Sequence, residues 1–327
     1  MDNTLSKGVF LLSLDTELAW GGLHNGSYRQ RADLYARTRS AVARLLKLLE
    51  TYEIRATWAM VGHLLLHGCE SQNRAKHPEL VRPLYPWFRG DWLDSVPCST
   101  DGRDPLWYAP DMVAEILACR TEQEIGCHTF SHIIVGDPGC SRRCFESELA
   151  ACIEAAEQWK VKLTSFVFPR NSVGHLGVLN RSGFRAFRGR TRRRSRSHDL
   201  GVVGRALRGA RWVLPMGPLT TMPERQHGMW CLPATSFYLH REGSARLLPV
   251  AGRVMRAKAG IREAESRRSL FHVYLHPFNL ASDPDRLLAG LEEIFRLVAV
   301  ERDSDRLDNP TMGGLARRLD GVAAERS

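Results

Sequence analysis

The sequence predicts an α/β protein: a parallel sheet or barrel with helices packed outside it. Short apolar runs of strand length recur along the chain, and stretches with apolar residues at helical spacing fall between them. Several of the apolar runs end in charged or polar residues. Alternation of this kind argues for parallel strands, and in such folds the active site forms just past the strand C-termini. The same runs therefore point to a site as well as a fold.

Residues 8–15 form a short apolar run ending in Asp15, as expected of a buried strand delivering polar groups at its end. Residues 33–53 carry Leu34, Val42, Leu45, Leu46 and Leu49 at helical spacing and read as an amphipathic helix. A second strand is expected at 56–61, a helix at 112–119, a strand at 124–127 and a helix at 144–159. Strand 165–168, helix 175–181 and strand 184–187 follow. Near the end come a strongly apolar strand at 270–275 and a helix at about 283–298. Two segments break the rhythm. Residues 67–110 are rich in Trp, Pro and Asp, and residues 188–268 are rich in Arg. Neither has enough apolar pattern to stand alone, so the expectation is a single domain over 1–327 with insertions at about 67–110 and 188–268. No internal repeat is found.

The chain has 327 residues, enough to bury a sizeable core, and its 43% hydrophobic and 25% charged residues are those of a globular protein. The net charge of +10 resembles a nucleic-acid signal, but only six of the 46 basic residues are Lys and much of the excess falls between Arg185 and Arg211. That is a local patch, and no nucleic-acid partner is expected. No stretch approaches the ~20 apolar residues that span a bilayer. The N-terminus shows no secretory pattern, and a cytoplasmic location is expected. Eight Cys without CxxC spacing suggest neither a structural zinc site nor a disulfide framework.

Asp15-Thr-Glu17 follows the first strand directly. On an extended backbone residues i and i+2 point the same way, and two close carboxylates favour either a metal between them or a raised pKa on one. His128-Thr-Phe-Ser-His132 follows the strand at 124–127. Two His four apart share one face of a helical turn and suit two imidazoles on one metal. Two His and a carboxylate leave coordination positions open, the pattern of a catalytic zinc. Arg170 and Asn171 end another strand, and Arg170 could hold a carboxylate ionised through a bidentate contact. His276 ends the last strand within reach of the site, whereas His272 lies earlier and is expected to be buried. Imidazole is the usual proton donor to a leaving amine.

Taken in order, Ser13-Leu-Asp-Thr-Glu17, Ala56-Thr-Trp-Ala-Met-Val-Gly62, His128-Thr-Phe-Ser-His132, Phe168-Pro-Arg170 and Leu275-His276 resemble the polysaccharide deacetylase family, also called the NodB-homology family or carbohydrate esterase family 4. The resemblance runs from about residue 8 to 280 and covers the two inserted segments poorly. It implies a distorted (β/α) barrel of the NodB-homology type and a divalent metal, usually Zn2+. By position it implies Asp15 as general base, His128 and His132 as metal ligands, Arg170 as the group orienting the base, and His276 as general acid. Most relatives have two adjacent Asp; here Thr16 takes the second place, and Glu17 resembles the third ligand of relatives with Asp-x-Asp or Asp-x-Glu. The Arg motif is altered as well, and Asn171, through its backbone N–H or its amide, is the candidate oxyanion donor.

The implied activity is that of a metal-dependent amidohydrolase releasing acetate or formate from an acylated amino sugar, which could be nucleotide- or lipid-phosphate-linked. Residues 185–214 could meet phosphate or an anionic membrane surface, at the inner face, or form a solvated loop. Trp87, Trp92 and Trp107 could stack on sugars or pack inside. The rival class is a catalytically silent carbohydrate-binding protein on the same barrel, which loss of Asp15 or His276 would have favoured.

Overall fold

The run at the N-terminus forms β1 (Gly8–Thr16), a nine-residue strand buried throughout. Full burial requires partners on both edges and cover on both faces. The computed structural model describes residues 5–69, 71–72, 75–190, 215 and 217–325. After β1 come α1 (Ala32–Thr51), β2 (Ala56–Met60) and a two-residue hairpin, β3 (Ser71–Gln72) with β4 (Ala75–Lys76). The middle of the chain forms α2 (Pro110–Ala118), β5 (Gln123–Cys127), α3 (Arg142–Glu157), β6 (Ser165–Val167), α4 (Leu176–Arg181) and β7 (Ala186–Arg188). Three short strands follow, β8 (Glu224–Gln226), β9 (Met229–Cys231) and β10 (Ser236–Phe237), then α5 (Val250–Arg267) and β11 (Leu270–Leu275). The chain closes with α6 (Pro277–Leu280), α7 (Pro284–Asp303), β12 (Leu307–Asp308) and α8 (Met312–Glu325).

Ten strands make one sheet in the order β10–β11–β1–β2–β5–β6–β7–β9–β8, with β12 beside the start of β1. Among the described strands of this sheet, β8 and β9 pair antiparallel and the other pairs are parallel. The sheet curls into an open, distorted (β/α) barrel. Alternation along β1 sorts its side chains between two cores. Phe10, Leu12 and Leu14 join the large core shared with the outer helices. Val9 and Leu11 join a smaller one with Ala59, Val167, Ala186, Trp230 and Leu270 on neighbouring strands. Met312, Leu315, Ala316 and Leu319 of α8 fill that second core, so the last helix plugs the inner face at the strand N-termini. Past the plug, the next β1 positions on this face are Ser13 and Asp15.

The expected strands and helices lie within a few residues of where the pattern put them, but the stretch expected as a second insertion is partly main-sheet structure. It supplies β8, β9, β10 and α5. The strands there are too short to leave a periodic trace, and the buried face of α5 includes Arg253 and Arg256, which masks its amphipathicity. At Gly260 in α5 an added Cβ would stand 2.3 Å from the Phe271 ring, so this helix meets β11 at glycine distance. The proposed membrane-facing stretch falls mostly at residues 191–214, outside the described residues. Among the described residues no helix is long and apolar enough to cross a membrane.

Leu315 is 3% exposed in the plug. Leu315→Ala is expected to cost about 2–5 kcal/mol in denaturant unfolding, and a change below ~0.5 kcal/mol would show that α8 does not hold the inner face.

Candidate active site

Every group in the site stands at a strand C-terminus on the inner face. Asp15 ends β1, and its carboxylate is buried at 4% exposure. Arg188, at the end of β7, grips it in a two-point contact, Nη1 to Oδ1 at 2.5 Å and Nη2 to Oδ2 at 2.6 Å. Arg188 also donates to Ser13 Oγ at 3.1 Å and to Asn171 Oδ1 at 3.2 Å, and its guanidinium lies 4.4 Å from the centre of the Tyr274 ring. Burial pushes the Asp15 carboxyl upward, but the charge and hydrogen bonds of Arg188, helped by His276 and His128, outweigh it and lower the pKa. Asp15 is therefore a carboxylate at neutral pH.

Glu17 projects from the turn after β1 into the space between His128 and His132. Its Oε2 is 2.9 Å from His132 Nε2 and 3.5 Å from His128 Nε2. Gly21 makes this possible, since a Cβ there would sit 2.1 Å from Glu17 Oε1. Burial opposes ionisation of Glu17, but the surrounding His276 and His132 hold its carboxyl well below the usual range. His276 caps α6 at 23% side-chain exposure, with Nε2 3.5 Å from Glu17 Oε1 and 3.8 Å from Asp15 Oδ2. It is the most open of these groups.

The residues of the trio fit a divalent cation. Nδ1 of His128 is 2.7 Å from the Val167 carbonyl and so carries the proton, leaving the Nε2 lone pair inward. Both His128 Nε2 and His132 Nε2 are buried and make no hydrogen bond of good geometry. Two orphaned imidazole nitrogens and a carboxylate whose ligand atoms lie within 4.8 Å of one another are the donor set of a catalytic zinc site. Burial lowers the pKa of His132, which favours the neutral, ligating form. The loop carrying the histidines is anchored from behind by Glu148 of α3. Its Oε2 accepts from Phe130 N (2.7 Å) and Ser131 N (2.8 Å), and its Oε1 from Ser131 Oγ.

Three expectations change. The residues from His128 to His132 are not a helical turn: Thr129 and His132 have φ of 58° and 59°, and these two left-handed residues bend a loop so that the rings converge, 5.0 Å between centres. Arg170 does not orient Asp15. It is exposed, with φ of 54°, and Arg188 holds the carboxylate instead, because β7 reaches across the curled sheet and residue 170 turns away. The backbone N–H of Asn171 is not a free oxyanion donor, since it is bonded to the Phe168 carbonyl at 2.9 Å, while its side-chain oxygen serves Arg188. Arg188 was legible as a polar residue closing the apolar run that ends at Phe187, but it is hidden among the arginines that follow it. Trp92 and Trp107 are buried at 2% and 3%, and Trp87, 44% exposed, is the one of the three open to solvent. His272 is buried; burial, with Arg188 nearby, brings its pKa down to about 3, so it stays neutral between Ser13 Oγ and the Leu232 carbonyl.

Neither a protein-family model nor a curated protein sequence matches the chain. Solved structures do. A Mycobacterium smegmatis protein assigned as a polysaccharide deacetylase aligns over 98% of this chain and 92% of its own, with a TM-score of 0.63 at 16% identity. A Pseudomonas aeruginosa PAO1 protein with the same assignment aligns over 95% and 89%, at TM-score 0.57 and 10% identity. Puue allantoinase aligns over 96% and 89%, at TM-score 0.56 and 12% identity. The fold is thus that of the polysaccharide deacetylases, the NodB-homology barrel that the order of motifs implied.

Gly21→Ala is expected to displace the Glu17 carboxylate and weaken metal binding by about 10–100-fold, measured by calorimetric titration of metal-free protein, with the circular dichroism spectrum unchanged. For Arg188→Met, burial of Asp15 loses its main opposition, so the acid limb of kcat/KM should move to higher pH. The stabilisation from a lowered Asp pKa is present above the unfolded value of about 3.9 and fades as pH falls through the folded value. Arg188→Met should therefore cost about 3–5 kcal/mol at neutral pH, and less in acid.

Proposed function

We propose that this protein is a metal-dependent amidohydrolase that removes an N-acyl group, acetyl or formyl, from an amino sugar or glycoconjugate precursor. One observation carries the reading: His128 and His132 turn unpaired ring nitrogens toward the Glu17 carboxylate, beside a second carboxylate, Asp15, that Arg188 keeps ionised. A metal alone would serve a structural role, and a carboxylate alone a salt bridge. Their adjacency is what hydrolysis needs.

Glu17, His128 and His132 would hold the cation, most suitably Zn2+, which supplies Lewis-acid polarisation of the acyl carbonyl and lowers the pKa of water. Asp15 accepts the proton of the attacking water. Its two-point contact with Arg188 sets both the direction and the charge of the accepting oxygen. His276, the most solvent-open group, lies 3.5 Å from Glu17 Oε1, whereas the two ligand imidazoles meet Oε2, and it delivers a proton to the departing amine. The products are the free amine and the carboxylate. Trp87 is the exposed aromatic face available to a sugar ring.

A silent carbohydrate-binding role is disfavoured because the base and acid candidates, Asp15 and His276, are both in place and within 3.8 Å of each other. The allantoinase among the structural neighbours gives a specific reason to test a smaller amide as well. The test is to incubate the zinc-loaded protein with acetylated and formylated amino sugars, free and as nucleotide or lipid-phosphate conjugates, alongside cyclic ureides, with the change in mass as the readout, since deacylation lightens the sugar and ring opening makes a ureide heavier by one water. Loss of 42 or 28 mass units (about the size of an acetyl or formyl group replaced by hydrogen) from a sugar is expected. Turnover of ureides alone would keep the chemistry and overturn the substrate class. Asp15→Asn should lower turnover by about 10²–10⁴-fold while metal stays bound, and wild-type turnover in that variant would refute the base.

A further inference from the structure

A second group of ligand atoms lies behind the active-site loop. His63, in the short helical turn after β2 (Gly62–Leu65), Cys69, and His77 just after β4 bring one ligand atom each within 4.8 Å of the others. Cys98, from a later loop, places its Sγ 3.0 Å from Cys69 Sγ. We propose that His63, Cys69, His77 and Cys98 form a structural divalent-metal site of the zinc type, separate from the centre at Glu17, His128 and His132.

The imidazoles are set up for it. Nδ1 of His63 is 3.1 Å from the Trp107 carbonyl, so it carries the proton, and Nε2 turns its lone pair toward Cys69 Sγ at 3.7 Å. Nδ1 of His77 is 3.0 Å from Glu79 Oε1, and its Nε2 is buried without a hydrogen-bond partner. A ring nitrogen held by a carbonyl or carboxylate, with the other left bare, is the outer-shell arrangement of metal-bound histidine. Two Cys and two His are a closed tetrahedral set, which marks a structural zinc rather than a catalytic one.

The location explains the need. From Leu66 to Ala109 the described residues contain only the two-residue strands β3 and β4, too little regular structure to fix so long a segment. A cross-link from β2 through Cys69 and His77 to Cys98 ties three parts of it together. It also presses on the active-site loop, since the His63 and His77 rings lie 5.6 and 5.0 Å from the Phe130 ring between the two ligand histidines. A disulfide is the competing use of Cys69 and Cys98, but both are free thiols in the structure. Two thiolates on a tetrahedral zinc, each ~2.3 Å from the ion, are roughly 3.8 Å apart, so filling the site moves them further from bonding, not closer.

Cobalt distinguishes the two centres, because only this one offers sulfur. The full chain, purified under reductant, stripped and loaded with Co2+, is expected to take up about two ions and to show a thiolate-to-cobalt charge-transfer band in the near ultraviolet. Cys69→Ser should lose the band and one equivalent, and Cys98→Ser should weaken it. His132→Ala should lose the other equivalent and keep the band, so failure of the hydrolase reading leaves this test intact. A wild-type chain that binds cobalt without the band overturns the proposal, as does a band that survives Cys69→Ser or a Cys69–Cys98 disulfide in the peptide map of the reductant-purified protein.

Discussion

Asp15 and Arg188 are an ion pair that only a curled sheet can make. In the strand order their strands, β1 and β7, are four steps apart, with β2, β5 and β6 between them. At about 4.8 Å per step, a flat sheet would hold them roughly 19 Å apart, beyond the combined reach of an aspartate and an arginine. They nevertheless meet with both hydrogen bonds at 2.5–2.6 Å. Burying either charge alone would be severely unfavourable, and the bidentate geometry is what makes the buried pair tolerable. Curl and charge are therefore mutually dependent: the curled sheet brings the groups together, and flattening it would strand both. Ser13, Asn171 and Tyr274, from β1, the end of β6 and β11, complete the surroundings of the guanidinium.

The inner face divides along the strands. At their N-terminal ends it is apolar and sealed by α8; at their C-terminal ends it is polar and open toward His276. The seal matters for the chemistry, because electrostatic interactions at Asp15 and Glu17 are strong only where water is kept from one side. The open end carries strained backbone. Leu18, Thr129, His132, Arg170 and Asn171, all just past strand C-termini, have positive φ. Such conformations persist where surrounding structure over-determines them, and here the determinants are visible: Glu148 under the His loop and the Phe168 carbonyl under Asn171.

What could be read from the sequence follows from this geometry. Asp15, Glu17, His128, His132 and His276 were legible because each stands within five residues of an apolar run, and strand ends in parallel sheets share one side. Their convergence needed no knowledge of curvature. Arg188 did, since choosing between it and Arg170 depends on which strand the curl carries over β1, and that is a property of the whole sheet. The spacing of His128 and His132 pointed to the right pair through the wrong conformation: four residues join two rings as readily through left-handed turns as through a helix. β8 to β10 and α5 left no legible pattern for the reasons of length and buried arginine, and the strand just before α8, β12, is only two residues long. The Cys and His of residues 63–98 were invisible to a search for CxxC, as their nearness is made by folding and not by spacing.

The loop from His128 to His132 is thus a point where several constraints meet. Its Phe130 and Ser131 amides are fixed by a buried carboxylate, the Ser131 carbonyl by Trp92 Nε1 at 2.9 Å, and the Phe130 ring by His63 and His77. Trp92 and His77 come from the segment between β2 and α2 and Glu148 from α3, and none of the three is among the ligand, base or acid groups. Ligand atoms on a loop hold their geometry only if the loop has no cheaper arrangement, and each of these contacts removes one. The long segment between β2 and α2, which has almost no regular structure, is on this account a brace for the metal ligands. Its sparse secondary structure is compatible with that role only if something else makes it rigid, and clustered aromatic rings together with the sulfur and imidazole groups behind Phe130 are what the fold supplies.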